Sequence, residues 1–168
     1  MSDIKTNEGL VAFAKKHLGA PYWFGTFGQK SSRKLYRAKK KQYPKEYEWK
    51  YKNKQPGVLP EKQRGVSVFD CSGLIKGYLW TKEDGTIAYN AQQDIPVCRM
   101  LQLSPQSGTI DTMPETIGVL VFAANHVGIY IGNGQVIDAK GHAMGVIQTN
   151  LSDRNFTHWG YCPWIRYL

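Results

Sequence analysis

The first half of the chain has the hydrophobic spacing of helices. Residues 7–18 (NEGLVAFAKKHL) repeat apolar side chains every three or four positions, with Asn7 as the predicted N-cap and Gly19 at the end. The same spacing predicts a second helix from about 72 to 82, which begins within FDCSGLIKGYLW. Weaker patterns predict a helix near 32–42 and a short irregular or helical stretch over 91–101.

From residue 117 onward the pattern changes to short β-rich runs at close spacing. The runs are GVLVF, HVGIYIG, QVIDA, GVIQTN and YCPWIRYL, and GNG is predicted to be a hairpin turn. Helices followed by strands predict an α+β fold, with N-terminal helices packed on a C-terminal antiparallel sheet of about five strands. The length suits a single domain over residues 1–168.

The chain has three cysteines, Cys71, Cys98 and Cys162. An odd number at irregular spacing does not indicate a disulfide framework, and no Cys-x-x-Cys pair indicates a zinc site. At least one thiol is therefore expected to be free.

Cys71 stands at the start of a predicted helix and not within its apolar stripe. The N–H groups and dipole of a first helical turn favour a thiolate, and the same N–H groups can hold an oxyanion. Asp70 is predicted to cap the helix, and Gly73 to leave room for a substrate backbone. A semi-buried, unreactive thiol is the alternative interpretation.

A cysteine nucleophile needs a base, and the chain has four histidines. His17 falls on the polar face of the first helix and is predicted to be solvated, and His158 is predicted to lie in a loop or to pack. His126 opens the run HVGIYIG beside small residues that leave its ring accessible. It is the predicted base, with a merely hydrogen-bonded strand histidine as the alternative.

A third residue should hold the other nitrogen of the histidine ring, and Asp138 and His142 are the candidates. A two-residue turn after the strand of His126 would put Asp138 on the opposite face of the sheet. A three-residue turn over 132–134 would place Asp138 opposite Gly128, on the face of His126 and within reach. We expect the three-residue turn.

The motifs FDCSGLI and HVGIYIGNGQVIDAKG, with PYWFG upstream, resemble those of the NlpC-type cell-wall cysteine peptidases, a papain-like superfamily. The resemblance covers the chain from about Leu10 to Tyr167. It implies that Cys71 is the nucleophile and His126 the general base. Asp138 falls at the position of the third polar residue, where relatives often carry His, Asn, Gln or Glu.

The resemblance also implies contacts to the substrate or the oxyanion. Tyr22 matches a family tyrosine near the sulfur. The full set of candidates is Tyr22, Trp23, Asp70, Ser72, Gly73 and Asn125.

The implied reaction is hydrolysis of amide bonds in peptidoglycan stem peptides, typically between γ-D-glutamate and a diamino acid. It requires no metal or organic cofactor, and we expect a monomer that binds peptidoglycan or muropeptides. One alternative keeps the fold but changes the reaction, to cleavage of the muramyl–L-alanine amide or to acyl transfer. The other alternative is a non-catalytic module that binds cell wall or nucleic acid.

Basic charge is concentrated in residues 29–65, called the basic insert below, which hold 13 of the 22 Lys and Arg but three of the 13 acidic residues. Tyrosine and tryptophan alternate with these charges. The insert could pack its aromatic rings on the domain, hold an anionic cell-wall polymer near the cleft, or, least favoured, bind single-stranded nucleic acid. It is also expected to wall one side of the cleft, with a turn-rich stretch over 53–65.

The sequence has no run of 18 apolar residues, and its start lacks the apolar core of a secretory signal. We expect a protein that acts in the cytoplasm, or one released or injected to reach the cell wall, as a phage lysin or effector is. Removal of a signal is the third possibility.

Overall fold

The computed structural model describes residues 4–48 and 64–168. The described residues form four α-helices: α1 (Asn7–Lys16), α2 (Arg33–Gln42), α3 (Cys71–Trp80) and α4 (Val97–Leu103). Their strands are β1 (Phe27–Lys30), β2 (Ser67–Phe69), β3 (Ser107–Thr109), β4 (Leu120–Ala123), β5 (His126–Gly132), β6 (Gln135–Ala139), β7 (Val146–Asn150) and β8 (His158–Gly160).

Strands β3 to β8 form one antiparallel sheet in the order β3-β8-β4-β5-β6-β7, and β1 pairs with β2 in a separate ribbon. The α+β prediction is confirmed, with six strands in place of about five. The run YCPWIRYL was predicted to be the last strand, but the strand is β8, just before it. Pro163 has no N–H to donate to a ladder, and only an isolated bridge joins Arg166 to Thr6.

Helix α1 begins at Asn7, the residue that was predicted to be its N-cap. Thr6 is the N-cap, since its Oγ1 accepts a hydrogen bond from the Gly9 N–H at 3.1 Å. Asn7, the predicted cap, is buried; its side chain donates to the Ile117 carbonyl and accepts from the Leu168 N–H, both at 3.0 Å. Asn7 therefore ties the start of α1 to the end of the chain.

Two apolar clusters cover the two faces of the six-stranded sheet. Helices α1 and α3 pack on one face, where the buried side chains include Leu10, Phe69, Leu74, Ile75, Leu120, Ile129 and Ile137. The cluster on the other face is built from Val119, Val121, Tyr130, Val136, Phe156 and Trp159. Since side chains alternate along a strand, His126 and Gly128 share the face of Tyr130.

The basic insert packs its aromatic rings on the loop before β1. Ser32 caps α2 by accepting from the Leu35 N–H at 3.0 Å, which confirms the helix predicted near 32–42. The Tyr36 ring lies 5.6 Å from Trp23, and the buried Tyr47 donates its hydroxyl to the Phe24 carbonyl at 2.6 Å. The packing interpretation is thus confirmed for these rings.

Part of the basic insert falls outside the described residues. Trp49, Tyr51 and most of the turn-rich stretch predicted over 53–65 lie there. Binding of an anionic polymer by the insert stays a prediction. The single-domain assignment also stays a prediction.

Candidate active site

Asp70 positions the first turn of α3. Its Oδ1 accepts from the Gly73 N–H at 2.6 Å and its Oδ2 from the Gly25 N–H at 2.8 Å. The predicted N-cap is confirmed, and the same carboxylate holds the loop that carries Tyr22 against the helix start. Because Asp70 is buried, desolvation raises its pKa, an effect that these two N–H groups oppose.

Gly73 is needed for a reason that differs from the prediction. A Cβ atom at this position would lie 1.8 Å from the Thr26 carbonyl oxygen. The missing side chain therefore makes room for the Thr26 carbonyl, and not for a substrate as predicted, on the side where a Cβ would project. The glycine permits the loop before β1 to pack on α3.

The Cys71 thiol is half-buried at the start of α3. Burial and the nearby Asp70 charge raise the pKa of Cys71 to about 11, against the opposing effect of the Val127 and Ser72 N–H groups. The helix start does favour the thiolate as predicted, but burial outweighs it, so the resting group is a thiol at neutral pH. The Val127 contact also shows that the sulfur lies against the first residues of β5.

His126 and Asp138 meet on one face of the sheet. His126 Nε2 lies 2.5 Å from Asp138 Oδ2, and the Asp138 side chain is fully buried. The ring also stacks on Phe156 with centroids 6.0 Å apart. The structure thus gives the histidine a carboxylate partner on Nε2 and leaves Nδ1 for other contacts.

A bulge in β5 produces this alignment. Gly132 pairs with Gln135 across a two-residue turn, whereas Tyr130 pairs with Val136, so Ile131 is the extra residue. The predicted three-residue turn was wrong. The predicted placement of Asp138 on the face of His126 is confirmed, because the bulge adds the residue that the longer turn would have added.

Gly128 leaves space between the two groups. A Cβ atom there would lie 2.8 Å from Val136 Cγ1 and 3.3 Å from Asp138 Cβ. Gly128, two residues after His126, therefore allows the buried carboxylate to pack against the strand of the histidine.

Arg154 completes the site and was missed by sequence reasoning. Its Nη1 and Nη2 donate to Oδ1 and Oδ2 of Asp138, each at 2.7 Å, and Nη1 also donates to Thr149 Oγ1. Burial alone would raise the pKa of Asp138, but the hydrogen bonds from Arg154 and His126 outweigh it and hold that pKa below its ordinary value. An aspartate within QVIDA signals the need for a cation, though not which one.

Tyr22 lies near Cys71, and its ring packs against that of His142. Their ring centroids are 4.9 Å apart. Burial, Asp70 and Cys71 all raise the pKa of Tyr22, so its hydroxyl stays a neutral donor, and burial lowers the pKa of His142. His142, the alternative orienting residue, thus contacts Tyr22, while Asp138 holds His126 Nε2.

A cleft of about 770 Å³ opens beside Cys71. Five of the six predicted contact residues line it: Tyr22, Asp70, Ser72, Gly73 and Asn125. Trp23 does not, because its ring is buried beneath the insert, with 5 % of its surface exposed. That burial disfavours the predicted substrate contact for Trp23.

The remaining cysteines and histidines lie away from this cleft. Cys98 is exposed and Cys162 buried, and both are free thiols, which agrees with the prediction of at least one free thiol. His17 is half-buried, 4.3 Å from the Phe13 ring and 4.9 Å from Phe69, so the predicted solvated ring was wrong. His158 is exposed in β8, within 2.9 Å of the Thr157 hydroxyl.

Two classes of feature are not found in the part of the chain that the structure describes. Residues 4–48 and 64–168 contain no group of three or more His, Cys, Asp or Glu placed to hold a metal ion. No helix in the same two ranges combines the length and the apolar character needed to cross a bilayer.

The raised pKa of Cys71 predicts how iodoacetamide will label it. Because the thiolate is the nucleophile, the labelling rate at Cys71 should rise about tenfold per pH unit between about pH 7 and 9. Peptide mass spectrometry can follow Cys71 against the exposed Cys98 in the same sample. A rate at Cys71 that is already at its plateau at pH 7 would contradict the resting thiol.

Known proteins are similar to this chain in sequence or in fold. Residues 44–163 match the NlpC/P60 family profile. The probable endopeptidase p60 of Listeria grayi is 30% identical over 138 residues, which are 82% of this chain and 19% of the relative. The chain thus spans about a fifth of the length of this relative.

Solved structures include the peptidoglycan hydrolase RipB from Mycobacterium tuberculosis, at 19% identity and TM-score 0.50, covering 95% of this chain and 65% of that one. The NlpC/p60 domain of the peptidoglycan hydrolase SagA aligns at 16% identity and TM-score 0.48, and the alignment covers 92% of this chain and 97% of that one. The likeness to RipB concerns the fold alone. The profile match covers most of the chain, and the chain therefore belongs to the NlpC/P60 family.

Proposed function

We propose that this protein is a cysteine peptidase that cleaves the amide bond between γ-D-glutamate and a diamino acid in peptidoglycan stem peptides. The observation that carries the proposal is the His126–Asp138 hydrogen bond of 2.5 Å on the strand whose Val127 N–H faces the Cys71 sulfur. The similarity to a probable endopeptidase and to the peptidoglycan hydrolase RipB supports the substrate class.

The first step forms a covalent acyl enzyme. His126 accepts the Cys71 proton through Nδ1, since Asp138 occupies Nε2, and the sulfur attacks the γ-carbonyl carbon of the glutamyl residue. When the tetrahedral intermediate collapses, the carbon–nitrogen bond breaks and His126 returns the proton to the leaving amine. The product is a thioester on Cys71 and a released diamino acid peptide.

Water completes the reaction. His126 takes a proton from a water molecule that attacks the thioester, and the thiolate leaves and recovers that proton. Asp138 stays ionised throughout because Arg154 holds it, and it stabilises the imidazolium that forms. In this mechanism the oxyanion accepts hydrogen bonds from first-turn N–H groups of α3 and from the neutral Tyr22 hydroxyl.

Digestion of purified sacculi tests the choice of bond. The expected result is release of fragments that begin with a free amine on the diamino acid, identified by mass spectrometry, with Cys71→Ala protein as the control. Fragments that begin with L-alanine would replace this proposal by the muramyl–L-alanine amidase alternative. Absence of any product from intact sacculi and from soluble muropeptides would favour a binding module.

A further inference from the structure

The cleft beside Cys71 is lined by several charged side chains, and most of them are already engaged. Asp70 accepts hydrogen bonds from two backbone N–H groups. Lys76 is buried and pairs with Asp94 at 2.8 Å, while the other Asp94 oxygen accepts from the Tyr89 hydroxyl at 2.7 Å. These groups hold the walls of the cleft together and offer little to a ligand.

Lys39 of the basic insert is the exception among the cations of the cleft. Its Nζ donates to Gln42 Oε1 at 3.2 Å and lies 5.8 Å from the ring centroids of Phe27 and Tyr43. It forms no salt bridge with any residue in the described ranges 4–48 and 64–168. The ammonium is therefore available to an anion that enters the cleft.

The position of Lys39 sets it apart from the rest of its helix. Helix α2 carries six basic side chains and no acidic one, and five of the six are exposed to solvent. Lys39 is half-buried, and burial lowers its pKa, while Asp70 and Asp94 act in the opposite direction. A partly dehydrated cation interacts more strongly with a ligand charge than a fully solvated one does.

The insert holds this lysine in place through aromatic contacts. The Tyr43 ring packs edge-on against Phe24 with centroids 5.0 Å apart, and Tyr36 packs against both Trp23 and the buried Tyr47. Gly25 has no room for a side chain, since a Cβ atom there would lie 2.4 Å from Tyr43. Helix α2 is thus fixed to the loop that also carries Tyr22.

We propose that Lys39 binds a carboxylate of the stem peptide and so selects substrates that carry a free acid beside the cleaved bond. This inference rests on the proposed function. A glutamyl residue linked through its γ-carboxyl keeps its α-carboxylate free, and a diamino acid such as diaminopimelate carries a second carboxylate. Either carboxylate can serve as the negatively charged partner that Lys39 lacks, and a charge-assisted hydrogen bond between them provides the selectivity.

Three matched peptides separate the two carboxylates. The first has a free glutamate α-carboxylate and diaminopimelate, the second an α-amide on the glutamate, and the third lysine in place of diaminopimelate. For wild-type protein, kcat/KM should fall on the order of 10- to 100-fold for the peptide that lacks the recognised carboxylate. With the first peptide, the Lys39→Met variant should show a kcat/KM reduced by the same factor. With the peptide that lacks the recognised carboxylate, the substitution should cause no further reduction of kcat/KM.

Two control variants make the result specific. Lys16→Met removes a charge from an exposed position of α1 and should leave all three rates unchanged. Lys39→Arg should keep most of the preference because it keeps the charge. As a readout apart from turnover, affinity of the first peptide for Cys71→Ala protein, by calorimetry, should weaken by the same factor when Lys39→Met is added.

The outcomes distinguish this inference from the proposed function. If wild-type protein cleaves the peptides but Lys39→Met changes neither the rate nor the preference, the carboxylate site is overturned and the peptidase stands. If wild-type protein cleaves none of the peptides, the proposed function is overturned and this inference with it. A preference lost in Lys39→Met for one modified peptide supports the site and identifies its carboxylate.

Discussion

Replacing Cys71 with alanine should lower kcat/KM on stem peptides by about 10⁴-fold or more, because it removes the sulfur that forms the acyl enzyme in the proposed mechanism. The alanine removes a sulfur held against the Val127 N–H and leaves the His126–Asp138 pair untouched. The measurement is release of free diamino acid amine from a synthetic peptide, under conditions where wild-type turnover is linear.

Cys98→Ala serves as the matched control, since Cys98 is exposed on α4 and distant in sequence from the motif. It should keep wild-type kcat/KM and wild-type Tm. Cys71→Ala should also keep the Tm within a few degrees, which shows that the fold survives. Hydrolysis by Cys71→Ala protein at more than a tenth of the wild-type rate would exclude a thioester intermediate.

Arg154→Met should lower the free energy of unfolding by about 3–5 kcal/mol at neutral pH. The arginine donates two hydrogen bonds to a carboxylate whose side chain has no exposed surface. Methionine keeps much of the apolar contact with Phe156 but leaves Asp138 charged and without its cation. Urea unfolding of both proteins, followed by tryptophan fluorescence, gives the difference.

The double variant Arg154→Met, Asp138→Asn tests whether the unpaired charge of Asp138 causes the loss of stability. Asparagine removes the buried charge, so we expect the double variant to recover most of the lost stability while its activity stays low, because a neutral amide does not stabilise the His126 cation. Equal stability of the single and double variants would show that Arg154 acts through packing alone.

The stability difference also depends on pH in a predictable direction. In wild-type protein the pKa of Asp138 is lowered, so its stabilising contribution is present above the ordinary aspartate pKa and is lost as pH falls through the lowered value. Without Arg154, burial raises the pKa of Asp138, and protonation relieves the penalty already at mildly acidic pH. The difference in the free energy of unfolding between wild type and Arg154→Met should therefore become smaller as pH falls.

The chemistry of the site was predictable where it depends on neighbours in sequence. Asp70 and Cys71 sit at a helix start that the local pattern alone defines, and the cap is where the pattern placed it. The thiol pKa was not predictable in the same way. Burial of Cys71 depends on β5 and on the loop before β1, which meet the sulfur from distant parts of the chain.

Contacts between residues far apart in sequence account for the other differences between the predictions and the structure. Asn7 has the side chain of an N-cap, but groups 110 and 161 residues away use it instead. Arg154 follows Asp138 by 16 residues in an irregular segment, and only the folded sheet brings the two together. Which of the 22 Lys and Arg pairs with Asp138 could be learned only from the structure.

The extra residue at Ile131 makes the hairpin sensitive to odd and even changes in its length. Adding or deleting one residue between His126 and Asp138 would turn the carboxylate toward the helices and away from the imidazole, whereas a change of two would restore the orientation. Functional variants of this hairpin should therefore differ in length by multiples of two.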